Sequence, residues 1–148
     1  MHQTYQIMKK YFFASLLLLV MSSCAAKRTP VHITPQIPGN LELSKSFTTF
    51  WSALYQEVKD KDLSTFKPSK ALQYRYGMKK LKGGYYISGF ITTLPTFKKK
   101  PLEDIGIQIE DFSLSSYQFA CPLYLIPTLL KTPSVTGLEL TQQTFIKQ

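Results

Sequence analysis

The side chains best suited to nucleophilic or acid–base chemistry are few in this 148-residue chain. It contains two histidines, His2 and His32, and two cysteines, Cys24 and Cys121. A nucleophilic serine or cysteine needs a neighbouring base that is itself held in position. His32 lies between Pro30 and Pro35 in a stretch that resembles a linker, which is a poor place for such a base. We therefore expect no enzymatic activity.

Other reactive arrangements are equally incomplete. Glu103-Asp104 and Glu110-Asp111 are adjacent carboxylates whose side chains point in different directions, so we expect them to be surface or capping groups. Gly83-Gly84 lacks the following helix that a phosphate-binding loop requires. Cysteine and histidine are too scarce for a zinc site or a disulfide framework. We expect no metal and no cofactor other than covalent lipid.

The chain is basic, with 18 Lys and Arg against 9 Asp and Glu. Two lysine clusters stand out, and we expect that they contact an anionic surface if they share a face of the fold. The alternative is ordinary solvated loop charge. The clusters are Lys79, Lys80 and Lys82, and Lys98, Lys99 and Lys100.

The N-terminus has the form of an export signal. Met8-Lys9-Lys10 precedes an apolar run, 11–21, that is too short to span a bilayer. Ser22-Ser23-Cys24 then resembles a bacterial lipoprotein cleavage site, in which the cysteine becomes residue one and carries lipid. Residues 1–23 are thus predicted to be a signal peptide, with the true start at Met8. An ordinary signal peptide followed by an incidental cysteine is the alternative.

Localisation follows from the same signal. Ala25-Ala26 follows Cys24 with no aspartate, which by resemblance to Gram-negative sorting rules favours the outer membrane, facing the periplasm. No nucleic acid is expected as a partner in the envelope. We predict a flexible tether over 24–43 and a single domain over 44–148.

The domain begins with an amphipathic helix over 44–60, because large apolar residues recur at three- and four-residue steps. An extra strand is predicted at 72–78 from its alternating pattern. From Tyr85 onward the pattern reads strand, helix, strand, strand, helix, strand, and Gly89 marks a close approach. This order predicts an α+β fold with a ferredoxin-like split βαβ antiparallel sheet and two short helices.

Residues 70–142 resemble the small N-terminal domain that precedes the catalytic domain of some bacterial subtilisin-like serine proteases. The resemblance is carried by three stretches: Tyr85-Tyr86-Ile87-Ser88-Gly89-Phe90-Ile91, Leu102-Glu103-Asp104-Ile105-Gly106-Ile107 and Pro133-Ser134-Val135-Thr136-Gly137-Leu138-Glu139-Leu140. Cys121-Pro122-Leu123 and Ile126-Pro127-Thr128-Leu129-Leu130 continue it.

The resemblance implies a folding assistant or inhibitor that lays its sheet on a protease and directs its C-terminal strand into the active-site cleft. The contact residues implied are Gln142, Gln143, Thr144 and Phe145. We therefore expect a non-enzymatic, membrane-anchored protein-binding module. Three alternatives stay open: a structural outer-membrane lipoprotein, a fragment of a larger protease precursor, and a carrier of lipid or heme with an internal cavity.

Overall fold

The computed structural model describes residues 28–37 and 40–141. Within them lie six strands and four helices of an α+β fold, with one 3₁₀ turn at Leu123–Leu125. In chain order they are β1 Glu42–Leu43, α1 Lys45–Val58, α2 Lys70–Arg75, β2 Lys79–Leu81, β3 Gly84–Thr93, α3 Lys100–Asp104, β4 Gln108–Ser113, β5 Ser116–Pro122, α4 Ile126–Leu130 and β6 Val135–Thr141.

The strands form one mixed sheet in the order β1-β6-β3-β5-β4, and β2 pairs with the first residues of β3. The β6-β3, β3-β5 and β5-β4 pairs are antiparallel, whereas β1 runs parallel to β6. The prediction of a wholly antiparallel sheet is therefore wrong at this edge, where the short strand entering α1 joins the sheet.

The predicted amphipathic helix is confirmed as α1. Ser44 caps its start, since the Ser44 hydroxyl accepts from the Phe47 backbone N–H at 3.2 Å. Its aromatic stripe packs in the core: the rings of Phe47 and Trp51 stack at 6.0 Å, and Phe50 meets Tyr76 edge-on at 5.0 Å. The apolar stripe thus supports the sheet instead of facing a membrane or ligand.

Gly89 lies at the centre of β3, where β6 approaches closely. A Cβ atom there would lie 2.0 Å from the Glu139 carbonyl oxygen and 2.9 Å from Cε1 of Phe119. These distances are far inside van der Waals contact, so only glycine fits. The close approach predicted from the sequence is confirmed.

The predicted strand at 72–78 is wrong, because residues 70–75 form helix α2. The Ser69 hydroxyl caps this helix by accepting from the Leu72 backbone N–H at 3.1 Å, and the Glu57 carboxylate accepts from the Ser69 backbone N–H at 2.9 Å. Of the helical residues only Leu72 is buried, while Tyr74 is 93% exposed. The alternating pattern at 72–78 arose because Tyr74 counts as an apolar residue in the sequence, although its side chain is exposed. The additional strand in this region of the chain is β2.

The segment 31–37, predicted as part of a loose tether, packs on the domain. Ile33 is buried, and the Trp51 indole N–H donates to the Thr34 carbonyl at 3.0 Å. The Asp62 carboxylate accepts from the backbone N–H of Val31 at 2.8 Å. Apolar residues among the prolines supply the contacts, so the segment runs along the domain as a strap.

Candidate functional site

The sheet has two different faces. Alternate residues of its strands, including Ile87, Ile91 and Phe119, enter one core cluster with residues of α1, α3 and α4. The other face, here called the outer face, comprises Ser88, Phe90 and Thr92 of β3 and their neighbours on β4, β5 and β6. Within the described ranges, the core-packing helices all lie on the first face. The outer face is the candidate binding surface.

Exposed aromatic and aliphatic side chains mark the outer face and the adjoining hairpin. The rings of Phe90 and Phe112 meet at 4.8 Å, and Phe112 is 64% exposed. Leu114, at the β4–β5 turn, is fully exposed. Phe90 and Phe112 line a shallow groove of about 400 Å³ together with Glu42, Thr92, Ser116 and Glu139. Apolar surface gathered beside polar residues is typical of a protein-binding site.

Two polar atoms on the outer face lack partners within residues 28–37 and 40–141. Ser88 is 2% exposed, and its hydroxyl makes no hydrogen bond there. The Gln118 amide nitrogen, one step along the sheet, is also buried without an acceptor. Buried polar groups are nearly always hydrogen-bonded in native proteins.

Cys121 and His32, the two residues considered for nucleophilic chemistry, lie in different environments. Cys121 is completely buried on the core face, and burial raises the pKa of its thiol well above the ordinary value. It packs as a small apolar side chain. His32 is exposed on the strap, where it lines a pocket of about 130 Å³ with Trp51 and Lys131. Small-molecule sites usually measure ~300–1,000 Å³, so this pocket suits no heme or lipid chain.

The structure does not bring the two lysine clusters together. Lys79 and Lys80 lie on β2 beside Tyr86 and Tyr85, whereas Lys99 pairs with Asp111 beyond the other half of β3. On β3, Tyr86 is level with the first cluster and Ile91 is level with Asp111. These two positions are five residues apart, or ~16 Å along an extended strand. The two clusters are therefore separate groups, and their contact with an anionic surface stays a prediction.

The two lysine clusters also differ in their ion pairs. Lys99 lies 3.1 Å from the Asp111 carboxylate, and this hydrogen bond raises the pKa of Lys99. Lys100 pairs with Asp104 one helical turn away. Two of the adjacent carboxylates are thus surface ion-pair partners, as expected. Lys79 and Lys82 form no ion pair among the described residues, and the Lys80 ammonium lies 6.0 Å from the Tyr85 ring centroid.

Several predicted site residues lie outside the described residues: Cys24, the signal over 1–23, and Gln142, Gln143, Thr144 and Phe145. Among the described residues, no helix is long and apolar enough to cross a membrane. The same ranges hold no group of three or more potential metal ligands.

Comparisons with protein-family models, curated proteins and solved structures find no match to the chain. The alternating sequence pattern of β3 places Phe90 on the opposite face from Ile87 and Ile91, and the structure has this arrangement. The sequence pattern missed Phe112 and Leu114, although two large apolar residues around a serine-rich turn were the available signal.

Proposed function

We propose that the protein is a non-enzymatic lipoprotein of the cell envelope that binds another protein through the outer face of its sheet. The observation that carries this proposal is the exposed Phe112 ring, which packs on the half-buried Phe90 near the exposed Leu114, on a face that no core-packing helix of the described ranges occupies. Exposure of this apolar surface to water is unfavourable for the monomer, whereas binding of a partner protein removes the surface from water. Cys24 supplies the anchor, and no cofactor besides its lipid is involved.

We further propose that strands β3 to β6 form a ferredoxin-like split βαβ unit. The order β6-β3-β5-β4, with antiparallel neighbours and a short helix in each crossover, supports this proposal. The same arrangement supports the resemblance to the N-terminal domains of subtilisin-like proteases. We propose such a protease as the partner, with inhibition or assisted folding as the effect.

The proposed function predicts that truncating the apolar side chains of the outer face weakens the complex. The test variant carries Phe112→Ser and Leu114→Ser, and the measurement is cleavage of a fluorogenic peptide by a subtilisin-like protease from the same cell. The detergent-solubilised lipoprotein slows cleavage, and the variant requires about tenfold more protein for the same effect, because exposed aromatics at interfaces act as anchors.

Tyr74→Ser is the matched control, since Tyr74 is 93% exposed on α2, on the helical side of the sheet. It keeps the inhibition of the natural chain. If neither slowed cleavage nor a complex is seen with the natural chain, the protease proposal is wrong. If the outer-face variant and the control bind equally well, the partner uses another surface.

A further inference from the structure

Arg28, the first residue that the structure describes, lies near the β2–β3 hairpin. The Arg28 guanidinium lies 4.8 Å from the centroid of the Tyr124 ring. Tyr86 lies close enough to Tyr124 and Arg28 for both to affect its pKa, which burial chiefly raises. Tyr86 in turn approaches the hairpin turn, since its hydroxyl would lie 2.7 Å from a Cβ atom on Gly83. We call this region the anchor end.

Four peptide steps separate Arg28 from Cys24. A fully extended chain covers at most ~3.6 Å per residue, so a segment of this length spans at most ~14 Å. A lipid on Cys24 therefore holds the anchor end against the bilayer. The far end, with Leu114 at the β4–β5 turn and Lys131 near the start of β6, points away from it.

Three exposed lysines also lie close together at the anchor end. Residues 63–102 contain no aspartate or glutamate. Lys79, Lys80 and Lys82 are on or beside β2, and none of them has an ion pair in the described part of the chain. Glu139, a carboxylate of the outer face, is opposite Phe90, four residues along β3 from Tyr86, and so lies toward the far end. Three exposed lysines and Arg28, four residues from Cys24 in the sequence, thus share one end.

We propose that Lys79, Lys80 and Lys82, with Arg28, form a basic patch that binds the headgroups of anionic lipids in the membrane carrying the anchor. This inference rests on the proposed lipid anchor at Cys24. An anionic leaflet attracts each nearby lysine enough for about a fivefold gain in the bound population. The patch fixes the orientation of the domain, so that the β4–β5 hairpin is presented to a partner.

The test is lysine footprinting on the natural lipidated protein in nanodiscs made with and without phosphatidylglycerol. A water-soluble acetylating reagent labels exposed lysines, and mass spectrometry reads the rate at each one. The labelling rates of Lys79, Lys80 and Lys82 fall about fivefold or more when phosphatidylglycerol is present, and high salt restores them. Lys98 and Lys131, both exposed near the far end, keep their rates.

Two double variants with equal charge change complete the experiment. Lys79→Glu with Lys80→Glu abolishes the lipid-dependent protection of Lys82, whereas Lys98→Glu with Lys131→Glu leaves it intact. Equal rates at Lys82 in both bilayers, with Cys24 acylated in the same spectra, overturn the patch but not the anchor. Protection in whole envelopes but not in anionic nanodiscs means an acidic protein partner and also overturns it. An unacylated Cys24 overturns both proposals.

Discussion

At the scale of single residues, Gly89 is the position where adding a Cβ atom would disrupt the packing of β3 against β6. Gly89→Ala places a methyl group 2.0 Å from the Glu139 carbonyl oxygen, so β3 and β6 must separate locally. We expect a loss of about 3 kcal/mol or more in the free energy of unfolding, the upper part of the range for overpacking. Denaturation in urea, followed by circular dichroism, measures it.

Ser88→Ala is the control at the neighbouring position. It removes a buried hydroxyl that has no partner within the described residues, so we expect it to leave stability unchanged or raise it slightly. Equal destabilisation by both substitutions would contradict the assignment of Gly89 as a close-contact site. The sequence predicted this site, because a glycine inside an otherwise strong strand pattern often marks the close approach of a neighbouring backbone.

At the scale of elements, the strap 31–37 depends on Asp62. This carboxylate accepts from the Ser64 hydroxyl and from the backbone N–H groups of Val31 and Ser64, and these hydrogen bonds lower the pKa of Asp62. A carboxyl group whose folded pKa is depressed stabilises the fold above its unfolded pKa, ~3.9. That contribution is lost as the pH falls through the lower folded value.

Asp62→Ala is therefore expected to lower Tm by several degrees near neutral pH. Asp60→Ala, two residues away on the exposed loop, is the control and leaves Tm nearly unchanged. The difference between Asp62→Ala and the natural chain shrinks below about pH 4 and vanishes in stronger acid. A difference independent of pH, measured by thermal melts across that range, would show that Asp62 does not act through its charge.

Several helices and strands could be predicted from the sequence alone, whereas others could not. α1, β3 and the two helical crossovers follow from long periodic patterns, a serine cap and prolines in the first turns. The prediction of a strand at 72–78 was wrong because a six-residue helix is too short for its helical period to differ clearly from the alternation of a strand. The strap was missed because its prolines indicated a linker, while its few apolar residues bind the domain.

At the scale of the whole molecule, the fold separates two surfaces. The basic anchor end lies where the chain enters, and the apolar β4–β5 hairpin lies at the other end of the sheet. This separation could not be predicted from the residue pattern, because the placement of both surfaces depends on which strands pair. The proposed lipid anchor would hold the domain at one end and leave the hairpin at the other end open to a partner.

The lipid proposed at Cys24 decides both where the protein resides and which end of the domain meets the bilayer. The decisive measurement is the intact mass of the protein extracted from cell membranes, with fragmentation of its N-terminus. We predict a chain that begins at Cys24 and carries covalent diacylglycerol on its sulfur. A chain that begins at another residue, with an unmodified Cys24 thiol or none, would contradict the lipid anchor and the orientation that depends on it.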